Sequence, residues 1–162
     1  MRLRVICDAL LLALLASTAF ADIQIVLIDE KSMPYDLSSR NYINSPSNYQ
    51  NSSSNYINSA RNYSNSPSNY QNSPSNYENR RGGGQNLFSP DGDIIAYYTF
   101  GQSGIMNFFG YSSERVLYLP GGGHTRSVFS EDGWCGAMGT SNGQVMLGLT
   151  TNCLYRLLLA NE

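Results

Sequence analysis

The sequence predicts an all-β protein: a small antiparallel meander, either a barrel or a sandwich of about eight strands, that follows a low-complexity and mostly disordered array of heptads. Three observations support this fold class. Residues 85–162 alternate short apolar runs with turn signals rich in Gly, Asp, Asn and Pro, as hairpin-connected strands do. Residues 38–79 hold hardly any aliphatic side chains, so they cannot build a core. Residues 80–84 (RRGGG) lie between them and predict a flexible linker.

The predicted β domain, residues 85–162, contains eight apolar runs of strand length. Several of them mix aliphatic residues with Tyr and Gly, which is typical of strands with one buried face and one wetter face. The turns between them are only a few residues long, which favours antiparallel neighbours. The candidate strands are 86–89, 93–100, 105–109, 114–119, 126–130, 134–139, 144–149 and 153–159.

Residues 1–21 predict a cleaved secretory signal peptide. Arg2 and Arg4 give a positively charged start, residues 9–16 form a short apolar run, and residues 19–21 (AFA) match the small-x-small pattern before a cleavage site. The apolar run is shorter than the roughly 20 residues that span a bilayer. The chain is therefore expected to be exported, to a periplasm or to the exterior, with no transmembrane segment after cleavage.

Residues 22–37 follow the predicted cleavage site and include one apolar run, residues 23–28 (IQIVLI). Its β-branched residues are typical of a buried strand. Such a strand needs a partner, and the only other apolar residues of the mature chain lie beyond residue 85. Two alternatives follow. If residues 23–28 join the β domain, the array is a long loop inserted in that domain; if they do not, the array is a tether.

Residues 38–79 are six consecutive heptads. Helix is disfavoured because Ser and Asn compete for backbone hydrogen bonds and three prolines interrupt the pattern. A regular strand would send successive tyrosines to opposite faces, whereas Ser-Pro-Ser-Asn suits a type I turn. The prediction is a solvated spacer, and the alternative is a stack of identical turns with Asn and Tyr ladders. The units are SSRNYIN, SPSNYQN, SSSNYIN, SARNYSN, SPSNYQN and SPSNYEN.

Signal cleavage would remove Cys7 and leave Cys135 and Cys153. In an exported small domain, two cysteines are expected to form one disulfide, and the alternative is a pair of buried free thiols. In a plain meander the strand at 144–149 would lie between the two cysteines, whereas a disulfide needs Cα atoms within about 7 Å.

The charge of the chain limits its partners. The net charge is −2, and charged residues make up 14% of the sequence without forming a basic cluster. Electrostatic binding to nucleic acid or to an anionic membrane requires clustered Lys and Arg. We therefore expect neither partner.

The sequence offers no defensible catalytic, metal or cofactor site. His124, the only histidine, follows three glycines in a predicted loop, and no Ser/His/Asp arrangement has a suitable spacing. Asp91 and Asp93 flank a turn glycine without the longer acidic loop that Ca²⁺ sites need. The protein is expected not to be an enzyme, and a hydrolase that uses His124 remains an alternative.

An aromatic-rich set in the β domain gives the second functional alternative. Most of these side chains are expected in the core, but any that remain exposed would form a face that binds glycan or peptide. The candidate binding aromatics are Trp134, Tyr97, Tyr98 and Tyr111. The first hypothesis is a structural or interaction protein of the envelope or exterior, with the heptads as a spacer and the partner unknown.

Two resemblances rest on short motifs. Residues 87–99 (LFSPDGDIIAYYT) resemble the opening of a blade in TolB-like and WD40-like propellers, and residues 128–138 (VFSEDGWCGAM) are a poorer copy. This likeness implies local hairpins only, because eight strands would make two blades. The array is similar to tandem NSPSNYxN heptads in uncharacterised exported bacterial proteins, which implies location and no activity.

Overall fold

The computed structural model describes residues 22–161, so the predicted signal peptide and Cys7 lie outside the described range. Within this range there are eight strands and one α-helix, with several single-turn 3-10 helices between β1 and β2 and one, Gln102–Gly104, between β3 and β4. The strands are β1 Ile23–Leu27, β2 Asn86–Phe88, β3 Ile94–Phe100, β4 Met106–Phe109, β5 Arg115–Leu119, β6 Ser127–Ser130, β7 Gly133–Ser141 and β8 Gln144–Leu149, and the helix is α1 Thr151–Leu159.

The eight strands form a closed barrel in chain order. β2 to β8 are a meander in which each neighbouring pair is antiparallel. In a meander of seven strands the first and the last, β2 and β8, run in the same direction. One further strand placed between them can therefore be parallel to both. β1 fills that gap and runs parallel to β2 and to β8. The all-β class and the eight-strand barrel are therefore confirmed.

The N-terminal strand belongs to the barrel, which decides between insertion and tether. Leu27 lies opposite Leu149, and Ile23 lies opposite Leu87. A parallel connection must return the chain to the starting end of the sheet before the next strand begins. Residues 28–85, including the heptads, are that connection, so the array is an insertion between two strands of one domain.

The prediction of a strand at 153–159 is wrong, because these residues lie in the helix α1. Cys153 and Leu157 are four residues apart and are its two buried side chains, as expected for one face of a helix. A short apolar run does not by itself distinguish strand from helix. The closed barrel leaves no edge at which a ninth strand could pair, because β1 already lies between β2 and β8. The end of α1 is held instead by the turn before β5, where the Ser112 N–H donates to the Ala160 carbonyl (3.0 Å).

The predicted disulfide between Cys135 and Cys153 is confirmed, with the two Cα atoms 5.7 Å apart. Cys135 points into the barrel from β7, and Cys153 lies in the first turn of α1. The intervening strand β8 is no obstacle because the chain turns after Leu149 and brings α1 back toward β7. The Thr150 backbone N–H donates to the Cys135 carbonyl at 2.9 Å, which fixes this turn.

Alternation along the strands gives the barrel a packed interior and a partly covered exterior. Ala96, Tyr98 and Phe108 point inward into the main hydrophobic core, as does Leu117. Their neighbours in sequence point outward, and several of these are buried as well, including Tyr97, Asn107 and Tyr118. A buried exterior needs a cover, and residues 38–79 provide it.

The prediction that the heptads are mostly disordered is wrong, and the alternative of a stack of turns describes them. The array folds into successive tight turns that lie against the outer face of the barrel, and 3-10 helices close four of the units: Tyr42–Asn44, Tyr63–Asn65, Tyr70–Asn72 and Tyr77–Asn79. The segment predicted as a flexible linker also makes fixed contacts. The Gly83 N–H donates to the Arg80 carbonyl (2.7 Å), and the Arg81 guanidinium carbon lies 4.6 Å from the centre of the Tyr111 ring.

Candidate interaction surface

Each heptad folds as two consecutive turns. In the second unit, residues 45–51, the Asn48 N–H donates to the Ser45 carbonyl (3.1 Å), and the Asn51 N–H donates to the Asn48 carbonyl (2.9 Å). Side chains stabilise both turns: Ser45 Oγ accepts from the Ser47 N–H and Asn48 Oδ1 accepts from the Gln50 N–H, each at 3.1 Å. Ser and Asn favour such local turns because their short side chains reach backbone N–H groups two residues on.

The asparagine that closes each unit joins it to the unit before. Asn51 Nδ2 donates to the carbonyl of Ser45 in its own unit (2.9 Å) and to that of Ile43 in the preceding unit (2.7 Å). The other closing asparagines repeat both bonds, and all six are buried. The array is therefore a ladder of amides, and no aliphatic interior is needed to hold consecutive units together. The closing asparagines are Asn44, Asn51, Asn58, Asn65, Asn72 and Asn79.

The closing amides use their oxygens to bind the barrel. Thr99 Oγ1 on β3 donates to Asn72 Oδ1 (2.6 Å), and Asn107 Nδ2 on β4 donates to Asn65 Oδ1 (3.2 Å). Before β6, Thr125 Oγ1 donates to Asn44 Oδ1 at 2.7 Å. Because the amide NH₂ of each asparagine already donates within the array, only its oxygen remains to contact the barrel. The barrel side chains that meet these oxygens are therefore hydrogen-bond donors.

Two tyrosines of the barrel bind the backbone of the array. Tyr97 Oη on β3 donates to the Asn72 carbonyl and Tyr118 Oη on β5 donates to the Asn51 carbonyl, each at 2.8 Å. Burial raises the pKa of both hydroxyls well above that of a free tyrosine. Both side chains are thus held as neutral donors beneath the array.

One cation lies beneath the array and supports this interface. The Arg115 side chain is only 3% exposed and pairs with Glu131 at 3.2 Å. Its Nη1 donates to Asn107 Oδ1 (3.0 Å), whose amide nitrogen in turn donates to Asn65. Burial lowers the pKa of Arg115, and the nearby Glu131 carboxylate opposes that shift. The chain Arg115–Asn107–Asn65 therefore links β5, β4 and the array.

The array crosses the barrel in the direction opposite to the strand order. Asn44 lies at the start of β6, Asn51 is bound from β5, Asn65 from β4 and Asn72 from β3. These four strands are consecutive in a closed barrel, so its outer surface curves beneath the array. An array that is bound to each strand in turn follows that curvature and is convex toward solvent.

The outer side of this arc carries the candidate surface, which we call the tyrosine ladder. One tyrosine of every heptad points to solvent, because units of identical conformation place equivalent residues on the same side. Tyr35 extends the row, since residues 35–37 form a further 3-10 turn of the same kind and Ser38 N–H donates to the Tyr35 carbonyl (3.2 Å). The exposed fractions are Tyr35 59%, Tyr42 65%, Tyr49 63%, Tyr56 65%, Tyr63 64%, Tyr70 60% and Tyr77 74%.

The surroundings of the tyrosine ladder are polar and nearly uncharged. Within residues 38–79 the charged side chains are Arg40, Arg61 and Glu78, and the remainder is largely Ser, Asn, Gln, Pro and Tyr. Ile43 and Ile57 follow tyrosines of the ladder and are 50% and 45% exposed. The face therefore offers aromatic rings, hydroxyls and amides, with few and scattered charges.

The aromatic residues singled out by sequence lie elsewhere. Tyr97 and Tyr98 are buried, the first beneath the array and the second inside the barrel, so neither can bind a ligand. Trp134 is half-buried and donates to Ser127 Oγ (3.0 Å), and the half-buried Tyr111 stacks against Arg81. The alternative of stacked turns included a tyrosine ladder, but sequence reasoning did not name the heptad tyrosines as binding residues, although their constant period and turn-forming flanks were the available signal.

His124, the histidine considered for catalysis, lies at the edge of the interface. Its Nε2 is 2.7 Å from Asn51 Oδ1, and because the Asn51 amide nitrogen donates elsewhere, this ring nitrogen carries the proton. Asp36 lines the same open cleft of about 300 Å³. Both cysteines of residues 22–161 form the disulfide, so neither supplies a free thiol. His124 thus contacts the array through Asn51 and shares its cleft with the Asp36 side chain.

Comparisons with known proteins add no family to this description. No family model matches the chain, and no curated protein or solved structure matches it either. Within residues 22–161, no group of three or more His, Cys, Asp or Glu side chains is placed to hold a metal ion. Over the same range, none of the helices is long and apolar enough to cross a membrane.

Proposed function

We propose that the protein is an exported interaction module and that the tyrosine ladder is its contact surface. The observation that carries this proposal is the common orientation of seven tyrosines, each at least 59% exposed, on a backbone fixed from below. Large aromatic side chains are costly to leave in water, and a contiguous exposed row is typical of a binding surface. The barrel is the support, and the array displays the surface.

Rigidity supports this role over that of a spacer. Each closing asparagine is bonded to two carbonyls, and Asn44, Asn51, Asn65 and Asn72 are also held by barrel side chains. A surface that is already ordered loses little conformational entropy on binding. Export is supported by the signal pattern in residues 1–21 and by the disulfide, which persists in oxidising compartments.

The experiment measures retention of the full chain on washed envelopes of the cells that produce it. The variant Y49A/Y56A/Y63A removes three central rings of the tyrosine ladder, and Y155A/L158A/L159A removes three exposed apolar side chains from α1. We expect the ladder variant to lose at least about tenfold in apparent affinity, since each ring contributes about 0.5–1.5 kcal/mol. Equal retention of wild type and ladder variant would refute the proposal.

A further inference from the structure

The tyrosine ladder repeats along a curved line, which restricts the shape of its partner. Its members lie on the outer side of an array that bends around the barrel from Asn44 beside Thr125 to Asn72 beside Thr99. A flat and rigid partner could not touch all the units of a convex arc at once. A flexible linear chain can follow all of them, and its own repeating units would meet equivalent tyrosines.

The charge of the face distinguishes among linear chains. Arg40 and Arg61 are the cations of residues 38–79, and Glu78 opposes them. A nucleic acid or another polyanion requires a row of Lys and Arg along its path, which this array does not provide. The partner that fits is an uncharged chain.

The hydrogen bonds of the array argue against a peptide that binds by strand addition. In the second unit, the backbone N–H groups of Ser45, Ser47, Asn48, Gln50 and Asn51 all have partners within the array. A peptide that binds by strand addition needs a row of unpaired N–H and C=O groups, and among the described strands the barrel is closed. The groups left for a ligand are aromatic rings, hydroxyls and side-chain amides.

We infer that the tyrosine ladder binds an uncharged linear polysaccharide, whose sugar rings stack on successive tyrosines. This inference rests on the proposed function and names its ligand class. The apolar C–H face of a sugar ring packs on an aromatic face, while its hydroxyls need nearby hydrogen-bonding groups. Tyrosine supplies both through its ring and its hydroxyl, and the exposed Gln50 and Gln71 lie next to tyrosines in the sequence.

The direct test is native affinity electrophoresis of the full chain in gels containing hydroxyethylcellulose, dextran, glycol chitin or mannan, with polygalacturonate as the charged polymer. We expect at least one uncharged polymer to retard the protein and polygalacturonate to leave its mobility unchanged. Tyr56→Ala should weaken the association by about three- to tenfold. The matched variant Tyr155→Ala, which removes a tyrosine of similar exposure from α1, should bind as wild type does.

Two outcomes would overturn the inference: no retardation by any uncharged polymer, or equal retardation of wild type and Tyr56→Ala. Envelope retention then separates this failure from that of the proposed function. Digestion of the envelopes with a glycosidase specific for the polymer that retards the protein should abolish retention, and protease treatment should preserve it. If protease abolishes a retention that still depends on the ladder tyrosines, the proposed function holds and the polysaccharide is wrong.

Discussion

Thr99 on β3 donates its hydroxyl hydrogen to Asn72 Oδ1 at 2.6 Å, and both residues are buried. One belongs to the barrel and the other to a tandem repeat, so this bond joins two parts of the chain with different sequence character. Asn72 Nδ2 also donates to the carbonyls of Ser64 and Ser66. A single amide therefore holds two units together and attaches both to the barrel.

Asn72→Ala should destabilise the protein by about 3 kcal/mol, because it leaves buried polar partners unsatisfied. The loss would be measured as the change in the free energy of unfolding in urea. Tyr70→Ala, in the same unit but 60% exposed, should change that free energy by no more than about 0.5 kcal/mol. Similar losses for the two variants would mean that the closing amide does not hold the array.

Gly101→Ala should loosen the array from the barrel. A Cβ at Gly101 would lie 2.5 Å from Asn65 Oδ1 and 2.6 Å from Ile105 Cγ2, although the backbone, with φ of −94°, accepts any residue. Steric overlap of this kind costs about 1–3 kcal/mol. Thermal unfolding would report it, and Gly139→Ala, which meets no atom within 4 Å, is the matched control. A wild-type melting temperature for Gly101→Ala would contradict the close approach.

Deleting one heptad should unfold or strongly destabilise the protein, because the connection from β1 to β2 must span a fixed arc. The deletion of residues 59–65 would shift Asn58 toward the position of Asn65 and shorten the path back to β1. Replacing SARNYSN by SPSNYQN at the same positions keeps the length and should be tolerated. Circular dichroism with urea unfolding compares the two. Unchanged stability after the deletion would restore the spacer interpretation.

Opening the disulfide should cost about 3 kcal/mol of stability, because the bond restricts the unfolded chain over the 18-residue separation between its cysteines. Cys153→Ser is expected to lower the urea midpoint, and α1 should exchange its amide hydrogens faster than β3 does. A thiol assay on denatured, unreduced protein that begins at Asp22 should detect no free thiol. Two free thiols per chain would show that the cysteines are not paired.

The free energy of unfolding should fall as the pH rises from about 10 to 12. Burial, with a smaller contribution from Asp22, raises the pKa of Tyr98 to about 12, whereas an unfolded tyrosine ionises near pH 10. The unfolded state therefore releases its proton first, and stability present below pH 10 is lost at up to about 1.4 kcal/mol per pH unit. Tyr98→Phe should reduce this slope in urea titrations. If the slope of the free energy of unfolding against pH is the same in Tyr98→Phe as in wild type, Tyr98 does not cause the loss of stability.

The turns, the meander and the disulfide partners follow from local sequence. Short apolar runs separated by Asp-Gly and Asn-Gly signals are sufficient to predict strands, and two cysteines in a small domain that is expected to be exported predict one bond. The last run, residues 153–159, fits strand or helix equally well. It became a helix because β1 had already taken the remaining place in the sheet, a contact over more than 100 residues that no local pattern contains.

The tyrosine ladder marks the division between what the sequence by itself determined and what only the tertiary structure decided. The heptads determine that Ser and Asn close two turns per unit, since those bonds form between neighbours in the chain. Which side of the repeated turn faces solvent depends on what covers the other side. Donors at Thr99, Asn107 and Thr125 select the face that carries the closing asparagines. The tyrosines are left outside because the barrel binds the opposite face.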